Sequence, residues 1–143
     1  MSERVRILVL CTGNSCRSQM AEGFFRHIGK GTIDVESAGL SPSIVNPSAI
    51  RVMREAGIDI SGHTSDPVEK YIGREWDYVI TVCGNAEQQC PVFPGKTTRL
   101  HWPFDDPAHA EGSEEEVLGV FRRVRDDIGG KIAEWVKANV KSL

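Results

Sequence analysis

Cys11 to Ser18 reads Cys-Thr-Gly-Asn-Ser-Cys-Arg-Ser, and the residue types at that spacing suit one chemistry, attack by a thiolate on a bound oxyanion. The segment follows the apolar run Val5 to Leu10 and precedes a helical pattern from Arg17 to Ile28, so it reads as strand, tight loop and helix N-terminus. A loop entering a helix points several backbone N-H groups at one spot and adds the positive end of the helix dipole. Gly13 lets the backbone turn closely. Arg17 supplies a planar fork that pairs two oxygens of an anion at once. The same donors are expected to lower the pKa of Cys11, making it a thiolate near neutral pH, with the Ser18 hydroxyl as a further donor. Thr12, Gly13, Asn14, Ser15, Cys16, Arg17 and Ser18 therefore form the expected anion cradle around Cys11.

The elements that must carry this loop follow in order. Met20, Ala21, Phe24, Phe25 and Ile28 recur at helical spacing until Gly29. Ile33, Val35 and Ser37 alternate as a second strand. Asn46-Pro47 starts a helix whose buried stripe is Ile50, Met53 and Ala56. The polar stretch from Ser61 to Pro67 contains His63, which reads as a hydrogen-bonded loop histidine without a direct catalytic role. Tyr78 to Val82 is a third strand that delivers Cys83 at its carboxyl end. Gly84 to Gly95, carrying Cys90, has no clear period and is expected to be a mobile loop or a frayed short helix. Thr98 to Trp102 is a fourth strand, followed by the acidic loop Pro103 to Pro107. Ser113 and Glu116 open a long core-facing helix at capping-box spacing, with strain or a bend expected at Gly129-Gly130.

This order implies an α/β fold, a four-stranded parallel sheet flanked by helices on both faces, over one domain spanning 1-143. In such a sheet the carboxyl ends of the strands share one edge, so Cys11 and Cys83 meet there. Mobility would let Cys90 reach Cys83 in one state and leave it in another.

A hydrophobic fraction of 40%, a charged fraction of 26% and a net charge of -3 argue for a globular protein without nucleic acid as its partner. No stretch approaches the roughly 20 apolar residues of a membrane span, and the N-terminal run lacks a cleavage signal, so a cytoplasmic monomer is expected. Four cysteines in a chain of that kind point to catalysis or metal binding, and their spacing does not suit a zinc knuckle.

Cys11-x5-Arg17-Ser18 with Asp106-Pro107 resembles the low-molecular-weight protein tyrosine phosphatase fold. Over nearly the whole chain, through CTGNSCRSQMAEG, Ser37-Ala38-Gly39, Gly62 to Asp66, Thr81-Val82-Cys83, Cys90-Pro91, His101-Trp102 and Asp105-Asp106-Pro107, the sequence is similar to the thioredoxin-coupled arsenate reductases of that family. The resemblance implies that Cys11 attacks arsenate held by the loop and Arg17, while Asp106 assists loss of an oxygen. Cys83 then attacks Cys11, releasing arsenite, and Cys90 attacks Cys83 to carry the disulfide outward for reduction by thioredoxin. Arsenic detoxification is the implied role, with phosphate or sulfate as competing anions. The chemistry balances, since As(V) to As(III) needs two electrons and one dithiol supplies two.

Cys16 has no part in this relay. No cofactor is required, although some members bind potassium through residues matching Asn14, Glu22, Ser37 and Asp66. The alternative is a low-molecular-weight protein tyrosine phosphatase, which needs only Cys11, Arg17 and the acid. Ala108-His109-Ala110 lacks the tyrosines with which those phosphatases cradle an aryl group, so aryl phosphates are expected to be poor substrates. A third possibility, a redox sensor without turnover, would use the thiols alone.

Overall fold

The computed structural model describes residues 4-140, so the ends of the domain expected over 1-143 lie outside the described residues. Four strands, β1 (Val5–Cys11), β2 (Ile33–Gly39), β3 (Tyr78–Thr81) and β4 (Thr98–His101), form one sheet in the order β2-β1-β3-β4. Every pairing is parallel, as the alternation of strands with helical patterns predicted. The central strand β1 is buried from Ile7 to Cys11 on both faces, which is why its sequence is a continuous apolar run.

Register divides the sheet into two faces. Ile7 and Val9 pair with Val35 and Ser37 and face α1 (Arg17–Ile28), which in turn packs on α4 (Glu114–Asn139). Phe25 of α1 stacks with Trp102 and meets Trp135 of α4 edge-on, joining the helices to the end of β4. Leu8 and Leu10 lie on the opposite face, beside Arg6 and Glu36. That face is covered by the one-turn helix Val68–Lys70 with Tyr71 and Trp76. The Tyr71 hydroxyl donates to Glu36, and the Arg6 guanidinium lies over the Trp76 ring.

Two helix starts follow their sequence signals. Asn46 caps α2 (Pro47–Glu55) by accepting from the N-H groups of Ser48 and Ala49, and Ser113 with Glu116 forms a reciprocal capping box on α4. α4 runs without interruption through Gly129-Gly130, where a bend was expected. Gly129 has a packing reason, because a Cβ there would lie 2.7 Å from the Phe24 ring.

The segment expected to be loose contains α3 (Gly84–Gln88), a short helix between Cys83 and Cys90. Among the described residues, no helix is long and apolar enough to cross a membrane.

Candidate active site

The loop after β1 is built with its carbonyls turned outward. Cys11, Thr12, Gly13 and Ser15 carbonyls accept from the N-H groups of Leu40, Ser41, Ser43 and Asn46, at 3.2, 2.8, 3.1 and 3.0 Å. With the carbonyls committed to that neighbouring segment, the N-H side of the loop is left to the centre, and the Thr12 N-H lies against the Cys11 thiol. This is the polarity an oxyanion needs.

Asn14 sets the loop's curvature. It has φ 47°, a left-handed conformation that asparagine tolerates better than most residues. Its fully buried side chain donates to Ser18 Oγ (2.8 Å) and Ser37 Oγ (2.9 Å) and accepts from the Asp66 N-H (2.9 Å). The Asn14 side chain, expected in the anion cradle, thus points into the scaffold. Ser18 is likewise engaged by Asn14, and the neighbours that shift the Cys11 thiol are Cys83, Arg17 and Thr12.

The glycine that the loop requires sterically is not Gly13, where an added Cβ would meet only Ser43 at an ordinary 3.6 Å. It is Gly39, at the end of β2, whose Cβ would lie 2.7 Å from the Thr12 carbonyl oxygen and 3.0 Å from the Asn14 nitrogen. Gly39→Ala must push the loop backbone aside. We expect it to cost about 1–3 kcal/mol of stability and to weaken phosphate binding, read by thermal unfolding and calorimetry. Unchanged values in both would mean that the loop yields freely.

Arg17 opens α1 and reaches across the loop mouth. Its Nη1 donates to the Phe104 carbonyl (3.0 Å) and its Nη2 lies 3.4 Å from Asp106 Oδ2. Its Nε is buried without a partner. A buried unpaired donor on a guanidinium is costly, and an oxyanion seated over Cys11 would supply the missing acceptor. Asp106 also accepts from the Ala108 N-H through Oδ1, and its Oδ2 lies 3.2 Å from His109 Nε2. Its neighbour Asp105 points away to an exposed ion pair with Arg123.

β1 and β3 bring Cys11 and Cys83 together, both buried and close enough that each is the largest influence on the other's ionisation. Cys83 Sγ also lies 3.3 Å from the Thr12 hydroxyl and accepts from the Ala86 N-H at 3.4 Å. These donors, the Cys11 S-H first among them, push Cys83 down to about 4, while the hydrogen bond to Cys83 and burial hold Cys11 up against the pull of Arg17. Two adjacent buried thiols share one proton, so Cys11 and Cys83 ionise as a pair and the charge expected on Cys11 belongs to both sulfurs. The first ionisation of the pair is lowered, so ultraviolet thiolate absorbance is expected to persist to lower pH than for an ordinary thiol. Cys83→Ser should move that titration upward in pH, and a curve unaltered by the change would place the charge on Cys11.

The remaining candidates separate. Burial pushes Cys16 up to about 11, which keeps it an inert thiol at the start of α1. Cys90 is half-buried on the far side of α3, donates weakly to the Pro91 carbonyl (3.6 Å), and is raised by burial against the nearby Arg99. All four cysteines are free. His63 stays away from the thiols. Gln19 Nε2 donates to the Asn14 and Thr64 carbonyls, so its Oε1 accepts from His63 Nδ1 and the other ring nitrogen faces Glu22 at 3.6 Å. Gln19 is a brace between loop and scaffold that helical periodicity alone could not single out.

Asn14, Glu22, Ser37 and Asp66, the residues expected around a potassium ion, come together in one hydrogen-bonded cluster. Glu22 accepts from Ser37 and Arg26, Asn14 Oδ1 takes the Asp66 N-H, and Asp66 is paired with Thr64 and Lys70. Arg26 and Lys70 add positive charge at the rim of this cluster. Among the described residues, no cluster of three or more His, Cys, Asp or Glu side chains is placed to hold a metal ion.

Residues 6–142 match the family model for low molecular weight phosphotyrosine protein phosphatase. The chain is 52% identical over 137 residues to a protein of Halalkalibacterium halodurans named arsenate reductase, covering 96% of this chain and 98% of the relative. It is similar to the solved structure of an arsenate reductase in an oxidized state, with TM-score 0.80 and 38% identity over 93% of this chain and 97% of that one. An arsenate reductase in a phosphate-binding state gives TM-score 0.76 at 38% identity, covering 94% and 98%.

Proposed function

The chain belongs to the low molecular weight phosphotyrosine protein phosphatase family, and from that premise we propose that it is an arsenate reductase that works by a three-thiol relay. The observation that carries this reading is the second thiol: Cys83 lies against the anion loop, its sulfur 3.3 Å from the Thr12 hydroxyl and beside Cys11. Hydrolysis of a phosphate ester uses one nucleophile. Reduction needs a dithiol. The names of the relatives and the phosphate-binding neighbour support the same substrate class, a tetrahedral oxyanion.

Arsenate enters the loop and its oxygens meet the inward N-H groups and the unpaired Arg17 Nε. Cys11 passes its proton to Cys83 along the existing hydrogen bond, and its sulfur attacks arsenic. A sulfur-arsenic bond forms as an oxygen leaves on the side of Asp106, which steers the departing group toward protonation. Cys83 releases the borrowed proton, its thiolate being favoured by Thr12 and Ala86, and attacks Cys11 Sγ. The sulfur-sulfur bond forms, the sulfur-arsenic bond breaks, and its electron pair stays with arsenic, which leaves as arsenite. Cys90 then attacks Cys83, forming Cys83-Cys90 and freeing Cys11 as a thiolate. A thioredoxin-class dithiol restores the outer pair.

The test is arsenite production from arsenate by the purified chain with thioredoxin, thioredoxin reductase and NADPH, beside hydrolysis of an aryl phosphate. Sustained arsenite with only slow aryl phosphate turnover is the expected result. Absence of arsenite alongside brisk hydrolysis would make the protein a phosphatase. Arsenite formed with a dithiol reagent but not with thioredoxin would keep the reductase and replace its reductant.

A further inference from the structure

The relay gives Glu87 no part, yet its carboxylate is held in place. Thr81, the last residue of β3, is 1% exposed and lies two residues before Cys83. Its hydroxyl has one proton. Glu87 Oε2 at 2.7 Å takes it in preference to the Leu100 carbonyl at 3.4 Å. His101 Nδ1, at the end of β4 and 2.8 Å away, then donates into the same hydroxyl oxygen. The imidazole also lies 3.8 Å from the carboxylate. Glu87 belongs to α3, whereas Thr81 and His101 belong to strands, so a carboxylate-hydroxyl-imidazole chain ties α3 to the edge of the sheet.

That tie bears on Cys90. Cys83 and Cys90 bracket the five residues of α3, and the seven residue steps between them would span about 10 Å if each rose as in a helix. A disulfide tolerates Cα atoms only about 4.4–6.8 Å apart. The helix must therefore unwind before the two sulfurs can join, and unwinding draws Glu87 off Thr81.

We propose that Glu87 is a positioning residue for the last thiol exchange: with Thr81 and His101 it latches α3 and keeps Cys90 from Cys83 while Cys83 is reduced. This rests on the relay reading given above. α3 is held further by the bond from the Ala86 N-H to Cys83 Sγ, by the Glu87 N-H on the Cys83 carbonyl at 3.2 Å, and by burial of Ala86 in the core. Forming Cys11-Cys83 makes the Cys83 sulfur a poorer acceptor and weakens the Ala86 bond, and the Glu87 tie must still be broken before α3 can open. Cys90 as thiolate then attacks Cys83 Sγ. One disulfide breaks, another forms, the electron pair goes to Cys11, and there is no net oxidation.

The experiment equilibrates the full chain in graded reduced and oxidised dithiothreitol and maps the Cys83-Cys90 disulfide by alkylation and mass spectrometry. Glu87→Ala is expected to raise the equilibrium constant for that disulfide about tenfold, since the lost hydrogen bond stabilises only the dithiol state. Thr81→Val should do the same. The double variant should add little to either, because both changes remove one interaction. Glu87→Gln, which keeps the shape and loses the charge, should fall between. A merely structural role would lower the melting temperature without moving this equilibrium. A Cys83-Cys90 disulfide that forms in the wild type but is indifferent to Glu87→Ala and Thr81→Val overturns the latch and leaves the relay standing. A wild type that forms no such disulfide at any ratio overturns both.

Discussion

Cys90→Ser is expected to release one equivalent of arsenite per molecule and then stop. The first two thiols suffice for one round, since Cys11 and Cys83 are already in contact and together hold the two electrons that arsenic takes. What they cannot do is meet a reductant. Both are buried, at 4% and 7% exposure, beneath the loop and the start of α3, whereas Cys90 is only partly buried and lies two residues from Val92, which is 85% exposed. A protein dithiol must bring its own sulfur into line with the disulfide it attacks, so the buried pair is a poor target. Steady-state turnover with thioredoxin should fall on the order of 10²-fold or more, with the trapped Cys11-Cys83 disulfide visible by mass after one round. Turnover within a fewfold of wild type would mean that the reductant reaches the inner disulfide directly, and Cys90 would need another explanation.

Arg17→Lys is expected to be nearly as severe while keeping the charge. The guanidinium spans three jobs at once: one nitrogen on the Phe104 carbonyl, one beside Asp106, and the buried Nε left for the oxyanion. An ammonium is a single point and cannot occupy these positions together. Loss of a preorganised donor from such a site typically costs about 10²–10³ in rate, and here the acid-bearing loop also loses its tether. We expect kcat/KM for arsenate to fall by about that factor and phosphate, used as a competing anion, to bind correspondingly more weakly. A variant within about tenfold of wild type would mean that the loop N-H groups carry the anion alone.

Much of the fold was legible because its signals are local. A continuous apolar run marks the central strand, Asn46-Pro47 and Ser113 with Glu116 mark helix starts, and these positions are borne out. Other features were misread for the same reason. Gly13 looked like the glycine that the turn needs, but the close approach is made at Gly39, and only the pairing of β2 with β1 brings that residue under the Thr12 carbonyl. Asn14 belongs to the expected cradle as a loop residue, and what the chain order does not reveal is that its side chain serves partners 23 and 52 positions away. Glu87 gave no signal at all, since its partners His101 and Thr81 lie on two different strand ends.

Sequence alone determined which groups are available for chemistry: a cysteine at the end of a strand, an arginine at the start of the following helix, and two further cysteines bracketing a short segment. Only the tertiary structure decided how their charges are shared. The shared ionisation of Cys11 and Cys83 follows from two sulfurs meeting in a buried site, where each one's ionisation is set by the other's position. Residue types and spacing specify what a group could donate or accept. Distance and desolvation, which exist only once β1 and β3 are paired, specify what it does.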